Sequence, residues 1–154
     1  MKALVVYESF FGNTEKIAQT IGSSLGLTEA EVIKVSMMTP EKLGGLDLLI
    51  VGSPTRAFQP GPETKSFLGT LASGSLKGIK VAAFDTRAEM NEKTPGILRF
   101  FAGIFGYAAE PIAQKLVRKG GIQVANPAGF FVLGSEGPLK EGEIERAAEW
   151  ARSF

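Results

Sequence analysis

The segment Ala3-Leu4-Val5-Val6-Tyr7-Glu8-Ser9-Phe10-Phe11-Gly12-Asn13-Thr14 decides how the rest of the chain is read. Its first five residues are apolar without alternation, the pattern of a strand covered on both faces, and such strands belong to parallel sheets. A short polar and aromatic loop then leads straight into Ile17, Ile21 and Leu25, with Ala18 beside them, a spacing that predicts a helix from Asn13 to Leu25. A buried strand followed at once by an amphipathic helix begins a strand-helix-strand unit.

Working outward, the same unit repeats. Nearly unbroken apolar runs recur at Leu46 to Gly52, Ile79 to Phe84 and Gly129 to Leu133, and Glu31 to Val35 alternates polar with apolar residues, as an edge strand does. Helical patterns fall between them. Phe67, Leu68 and Leu71 follow Gly61-Pro62, and Pro95 to Lys119 is helical in character but interrupted near Gly103 to Gly106. Ile144, Ala147, Ala148 and Ala151 mark a terminal helix behind Gly142, and Thr39 to Leu43 supports only a short helix. This alternation predicts an α/β doubly wound parallel sheet of five strands in the order 2-1-3-4-5, with helices on both faces and one domain spanning 1–154. Ligands of such sheets bind at the carboxyl ends of the strands, so the loops after Tyr7, Gly52 and Phe84 should converge on one crevice.

Composition narrows the chemistry. The 154 residues include no cysteine and no histidine, which excludes thiolate nucleophiles, Cys or His metal sites and any imidazole acid-base step. Redox chemistry would therefore need a bound organic cofactor. The 17 Lys plus Arg against 16 Asp plus Glu leave a formal charge of +1, too balanced to announce a nucleic-acid partner. The run Ala3 to Tyr7 is too short for a signal-peptide core, and the cytoplasm is the expected compartment. Ile97 to Ala109 falls well short of the roughly 20 residues that span a bilayer and reads as a buried helical segment. A membrane-surface role is disfavoured because Arg99 is the only basic residue in it.

Each of the three loops carries two readings. In the first, Gly12 permits close backbone approach at a helix start, where outward N–H groups can hold a phosphate, with Ser9, Asn13 and Thr14 as side-chain donors. The same residues also describe an ordinary helix start capped by Asn13 or Thr14. Neither a Walker loop nor a G-x-G-x-x-G fingerprint is present. In the second loop Pro54, Pro60 and Pro62 stiffen a segment that includes Thr55, Arg56 and Ala57, and Phe58 either stacks on a planar ring or tucks under the loop. In the third, Asp85, Thr86 and Arg87 open a polar run reaching Asn91, which either meets the edge of a heterocycle or forms a surface ion pair.

Taken together, Ser9-x-x-Gly12-Asn13-Thr14 after the first strand, a Pro/aromatic loop after the third and a polar loop after the fourth resemble the flavodoxin family over essentially the whole chain. The first loop matches the family's phosphate loop at Ser9, Gly12 and Thr14. That resemblance implies FMN as cofactor: Ser9, Phe10, Phe11, Gly12, Asn13 and Thr14 would hold its phosphate, Pro54 to Phe58 would cover one ring face, and Asp85 to Arg87 would meet the pyrimidine edge. Phe11 stands where flavodoxins usually have a hydroxyl residue, which makes this stretch more similar to the flavodoxin-like quinone reductases. The third loop lacks the Tyr that commonly stacks on the flavin, and Trp150, the sole Trp, lies in the terminal helix, which implies an open ring face.

The resemblance implies an FMN-binding protein acting in electron transfer, serving a redox partner protein or a small-molecule acceptor. The near-neutral charge and the arginines at 56 and 87 favour instead an NAD(P)H-dependent FMN reductase for quinone-like acceptors, since a guanidinium near the ring stabilises negative charge on it. A third reading is a flavodoxin-fold interaction module without robust flavin binding, or a homodimer, using Phe100, Phe101, Ile104, Phe105 and Tyr107 as its contact face.

Overall fold

Strand residues alternate between two separate cores, which is why their sequences read as continuous apolar runs. The computed structural model describes residues 1–26, 29–90 and 92–154. β1 (Lys2–Tyr7) pairs in parallel with β2 (Glu29–Lys34) on one side and β3 (Leu48–Pro54) on the other, and β3 pairs in parallel with β4 (Lys80–Ala88). Leu4 and Val6 of β1, Leu49 and Val51 of β3 and Val81 and Ala83 of β4 face one core; Val5, Ile50 and Phe84 face the other.

Helices cover both faces. α2 (Pro62–Thr70) and α4 (Ala109–Arg118) close the first core with Phe67, Leu68, Ile112 and Leu116. α1 (Asn13–Ser24) and α5 (Glu143–Arg152) close the second with Ile17, Ile21, Ala147 and Ala151. Trp150 belongs to this second core, edge-on to both Phe84 and Phe130 at centroid distances of 6.2 Å. Thr39 to Leu43 contributes a 3-10 turn, Pro40–Leu43, and α1 ends one residue short of Leu25.

The sheet order 2-1-3-4-5 is present, with three departures from the expected elements. The last position is shared by two short strands: β5 (Ile122–Gln123) pairs with the start of β4, and β6 (Ala128–Val132) with its end, from Phe84↔Ala128 to Ala88↔Val132. Because β6 supplies partners that far along, β4 continues through Ala88, so Asp85, Thr86 and Arg87 are strand residues and not a loop. The segment Ile97 to Ala109 is not a buried helix. α3 (Gly96–Phe105) turns its large apolar side chains to solvent, and Ala102 is its one buried residue.

The α5 start is fastened to β6 by one carboxylate. Glu143 accepts a 2.7 Å hydrogen bond at Oε2 from the Phe131 N–H and a 2.9 Å bond at Oε1 from Arg146 Nε. Burial works against its charge, but Arg146 and the Phe131 N–H outweigh burial and hold the carboxyl below the ordinary glutamate range. A depressed folded-state value means stabilisation that is present above the unfolded value, about 4.3, and is lost as pH falls through the folded value. Glu143→Gln is therefore expected to lower stability by about 1–3 kcal/mol at neutral pH. Urea melts repeated below about pH 4 should show the gap to the parent protein closing; an equal gap at both pH values would mean that the charge plays no part.

Candidate functional site

The loop after β1 enters α1 through Gly12, whose φ of +90° is open to glycine at little cost. The Gly12 N–H donates to Ser9 Oγ at 3.0 Å, and helical bonding begins with Lys16 N–H to Gly12 O at 3.1 Å. No side chain caps the N-cap residue, so the amides of the first turn keep their donor capacity. Two of the expected side-chain donors are engaged within the protein. Thr14 Oγ1 and Thr86 Oγ1 share a buried 2.7 Å hydrogen bond, and Asn13 Nδ2 donates to the Glu136 carbonyl at 2.9 Å. The second of these ties the first loop to the segment after β6.

The loop after β3 is narrower than its sequence suggests, because Ser53 and Pro54 still belong to the strand, paired with Asp85 and Thr86. Thr55 continues the pairing by donating its N–H to Thr86 O at 2.9 Å. Arg56 and Gln59 then exchange two backbone hydrogen bonds, 2.8 and 3.0 Å, around Ala57 and Phe58, which lie at φ +49° and +65°. Two successive positive φ values inside a two-residue turn match the type I′ hairpin, which ordinarily selects Asn and Gly. Side chains with a Cβ are strained there, and contacts outside the turn must hold them. Phe58 packs on Phe105 of α3 at a centroid distance of 6.2 Å, while the Arg56 guanidinium lies 4.8 Å from the centroid of the Phe10 ring.

At the end of β4, Asp85 has no exposed surface. Its Oδ1 accepts from Arg87 Nε and its Oδ2 from Arg87 Nη2, both at 2.7 Å, and Oδ2 also accepts the Ala109 N–H at 2.9 Å at the start of α4. Burial pushes the Asp85 carboxyl above its ordinary range, and the Arg87 pair and the Ala109 amide oppose that shift. The guanidinium is confined on its faces too. The Tyr107 ring lies 3.8 Å from its central carbon, and a methyl group at Gly129 would overlap it, so the glycine provides the space. Thr55 Oγ1 accepts the Ala108 N–H at 3.1 Å, so the linker between α3 and α4 is anchored to two walls of the site.

These walls enclose a cleft of about 270 Å³. From the first loop it is lined by Ser9, Phe10, Phe11, Asn13 and Thr14, from the second by Pro54, Thr55, Arg56 and Ala57, and from β4 by Thr86 and Arg87. Gly12, Phe58 and Asp85 do not line it. Gly12 shapes the turn, Phe58 is turned toward α3, and both oxygens of Asp85 are committed inside the protein, so the expected ring contact of Phe58 and edge contact of Asp85 are not set up. Nor is the Asp85–Arg87 pair a surface pair, since the carboxylate is fully buried. Asn91 lies outside the described residues. Ala88, Val132, Gly134 and Ser135 complete the lining and were missed. The available signal was the Gly-rich run following the Gly129 to Leu133 strand, whose carboxyl end faces the same crevice as its neighbours.

No protein-family model matches the chain. Flavodoxin 1 of Salmonella typhimurium is 33% identical over 81 residues, which is 52% of this chain and 46% of that protein, so the match spans about half the length of each. The solved structure of oxidised Flavodoxin 2 from Bacillus cereus superposes with a TM-score of 0.72 at 27% identity, covering 98% of this chain and 95% of that one. A flavodoxin, WrbA-like protein from Agrobacterium tumefaciens shares the fold at a TM-score of 0.71 and 19% identity, over 97% of this chain and 92% of that one. With the sheet order 2-1-3-4-5 and a cleft at the strands' carboxyl ends, the chain has the fold of the flavodoxins and is similar to one of them in sequence over about half its length.

Proposed function

We propose that the cleft binds FMN and that the protein acts in electron transfer. The observation that supports this most directly is the α1 start, where uncapped first-turn amides adjoin a cleft lined by Phe11, Ala57 and Val132. Outward N–H groups at the positive end of a helix hold a phosphate without Lys or Arg, and the apolar walls suit a planar ring. When bound, the flavin ring supplies the electron transfer itself. The chain's own part is positional and electrostatic: backbone amides bind, the hairpin at Arg56 to Gln59 closes one side, and the β4 end with the loop after β6 closes the other.

The two arginines are not equivalent. Arg87 is neutralised by a buried carboxylate at 2.7 Å, whereas Arg56 has its guanidinium over the Phe10 ring and no carboxylate within ion-pair distance among the described residues. The cation that biases a bound ring toward its reduced, more negative state is accordingly Arg56. That feature favours a second reading, a reductase that passes electron pairs from a nicotinamide donor to a quinone-like acceptor. Turnover of NADH or NADPH with a quinone by the FMN-loaded protein separates the reductase from a carrier.

The visible spectrum tests FMN binding. Purified protein mixed with FMN should show flavin absorbance with altered fluorescence, and no change at micromolar protein with excess FMN would remove both readings. Gly12→Ala, which puts a Cβ on a backbone at φ +90° and so shifts the first-turn amides, is expected to lose about tenfold or more in FMN affinity and little in riboflavin affinity, about 1.4 kcal/mol confined to the phosphate end. Equal losses for the two ligands would mean that the first loop does not hold the phosphate. Arg56→Gln should lower the second one-electron potential of the bound flavin by an amount equivalent to about 1 kcal/mol, as suits an exposed charge. An unchanged potential in a redox titration would show that the guanidinium does not act on the ring.

A further inference from the structure

The chain folds back on itself after β6. Val132 bridges Leu139, and the Leu133 N–H donates to the Pro138 carbonyl at 2.8 Å. The tip of this turn, residues 134–137, is fastened to the start of α1. Asn13 Nδ2 donates to the Glu136 carbonyl at 2.9 Å, and a methyl group at Gly137 would stand 2.6–3.0 Å from the Asn13 amide atoms, so the glycine provides the space for that side chain. Asn13 is thereby committed to the turn, and the turn in this position puts Gly134 and Ser135 into the lining of the cleft with Ser9 and Thr14.

Hydroxyl donors without acceptors gather in this part of the lining. Ser9 Oγ accepts the Gly12 N–H, which fixes the oxygen and leaves its own proton to donate. The Ser135 hydroxyl makes no hydrogen bond among the described residues. Thr14 and Thr86, 2% and 5% exposed, share one hydrogen bond between two hydroxyls, so one O–H of this buried pair has no acceptor among the described residues. A donor buried in that way costs free energy unless a ligand supplies the acceptor. Ser9, Thr14 and Ser135 carry no charge, and Glu136, the one charged residue of the tip, does not line the cleft. Neutral donors converging from the first loop, β4 and the turn after β6 suit a group that only accepts hydrogen bonds, and a phosphate monoester is such a group. We propose that the turn after β6 is the second half of the phosphate cradle: Ser135 binds the phosphate, and Asn13 does not touch it but positions the turn that carries Ser135.

The proposal rests on the reading of the cleft as an FMN site, and the affinities of the full chain for FMN and riboflavin, read from flavin fluorescence, test it. Ser135→Ala is expected to lose about tenfold in FMN affinity and little in riboflavin affinity, and Ser135→Thr to keep the parent values. Ser36→Ala, at an exposed hydroxyl away from the cleft, should change neither. Asn13→Ala should show the same loss confined to FMN, and Asn13→Ala/Ser135→Ala no more than the larger of the two single losses. Additive losses would make Asn13 an independent phosphate ligand and overturn its positioning role. An FMN affinity in Ser135→Ala equal to the parent's, or an equal loss for riboflavin, overturns the proposal while leaving the FMN reading intact. If the parent binds neither flavin, the FMN reading fails by itself and inorganic phosphate decides the proposal. Broadening of the phosphorus resonance of phosphate by the parent protein but not by Ser135→Ala supports the cradle, and equal or absent broadening overturns it.

Discussion

A carboxylate with no exposed surface, Asp85, fixes the geometry on which the cleft depends. Burying such a charge is costly unless both oxygens find strong donors, and here they find three: two from Arg87 and one from the Ala109 amide. The consequences reach three elements at once. The end of β4 is bound to the start of α4, the guanidinium is set in one plane, and the linker residues Tyr107 and Ala108 are brought against Arg87 and Thr55. Gly129 on β6 completes the arrangement by leaving room for the guanidinium, so the sheet edge and the ion pair specify each other.

The same interaction redistributes charge over the site. A sequence count places two cations near the cleft, whereas the structure leaves one of them compensated and the other at the rim. Local pairing thus says more about the potential inside the cleft than the formal charge of +1 does.

Most of the architecture was legible in the sequence because it rests on local periodicity. The runs at Ala3 to Tyr7 and Ile79 to Phe84 read as two-faced strands, and the Ile17 and Ile21 stripe read as a helix packed on them, because burial on each face imposes those patterns. Gly12, with its positive φ, was legible for the same local reason. What escaped depends on partners distant in sequence. Asp85 to Ala88 become strand only because β6 lies beside them. Ala57 and Phe58 form a hairpin turn with none of the residues that advertise one, and the apolar content of α3 says that the helix is amphipathic but not which way its apolar arc faces. Among the site residues, backbone geometry was foreseen better than side-chain roles, since Thr14 and Asn13 spend their hydrogen bonds on Thr86 and Glu136.

The turn at Ala57 and Phe58 sets two selective demands against each other. Glycine at 58 would relieve the left-handed backbone, yet it would delete the ring that meets Phe105 and with it a contact between the hairpin and α3. Phenylalanine keeps that contact and accepts the backbone strain. Substitutions that merely ease the backbone at this position should therefore loosen the cleft wall while leaving the sheet untouched, and variation at 58 should be coupled to variation at 105 more tightly than to any neighbour in the turn.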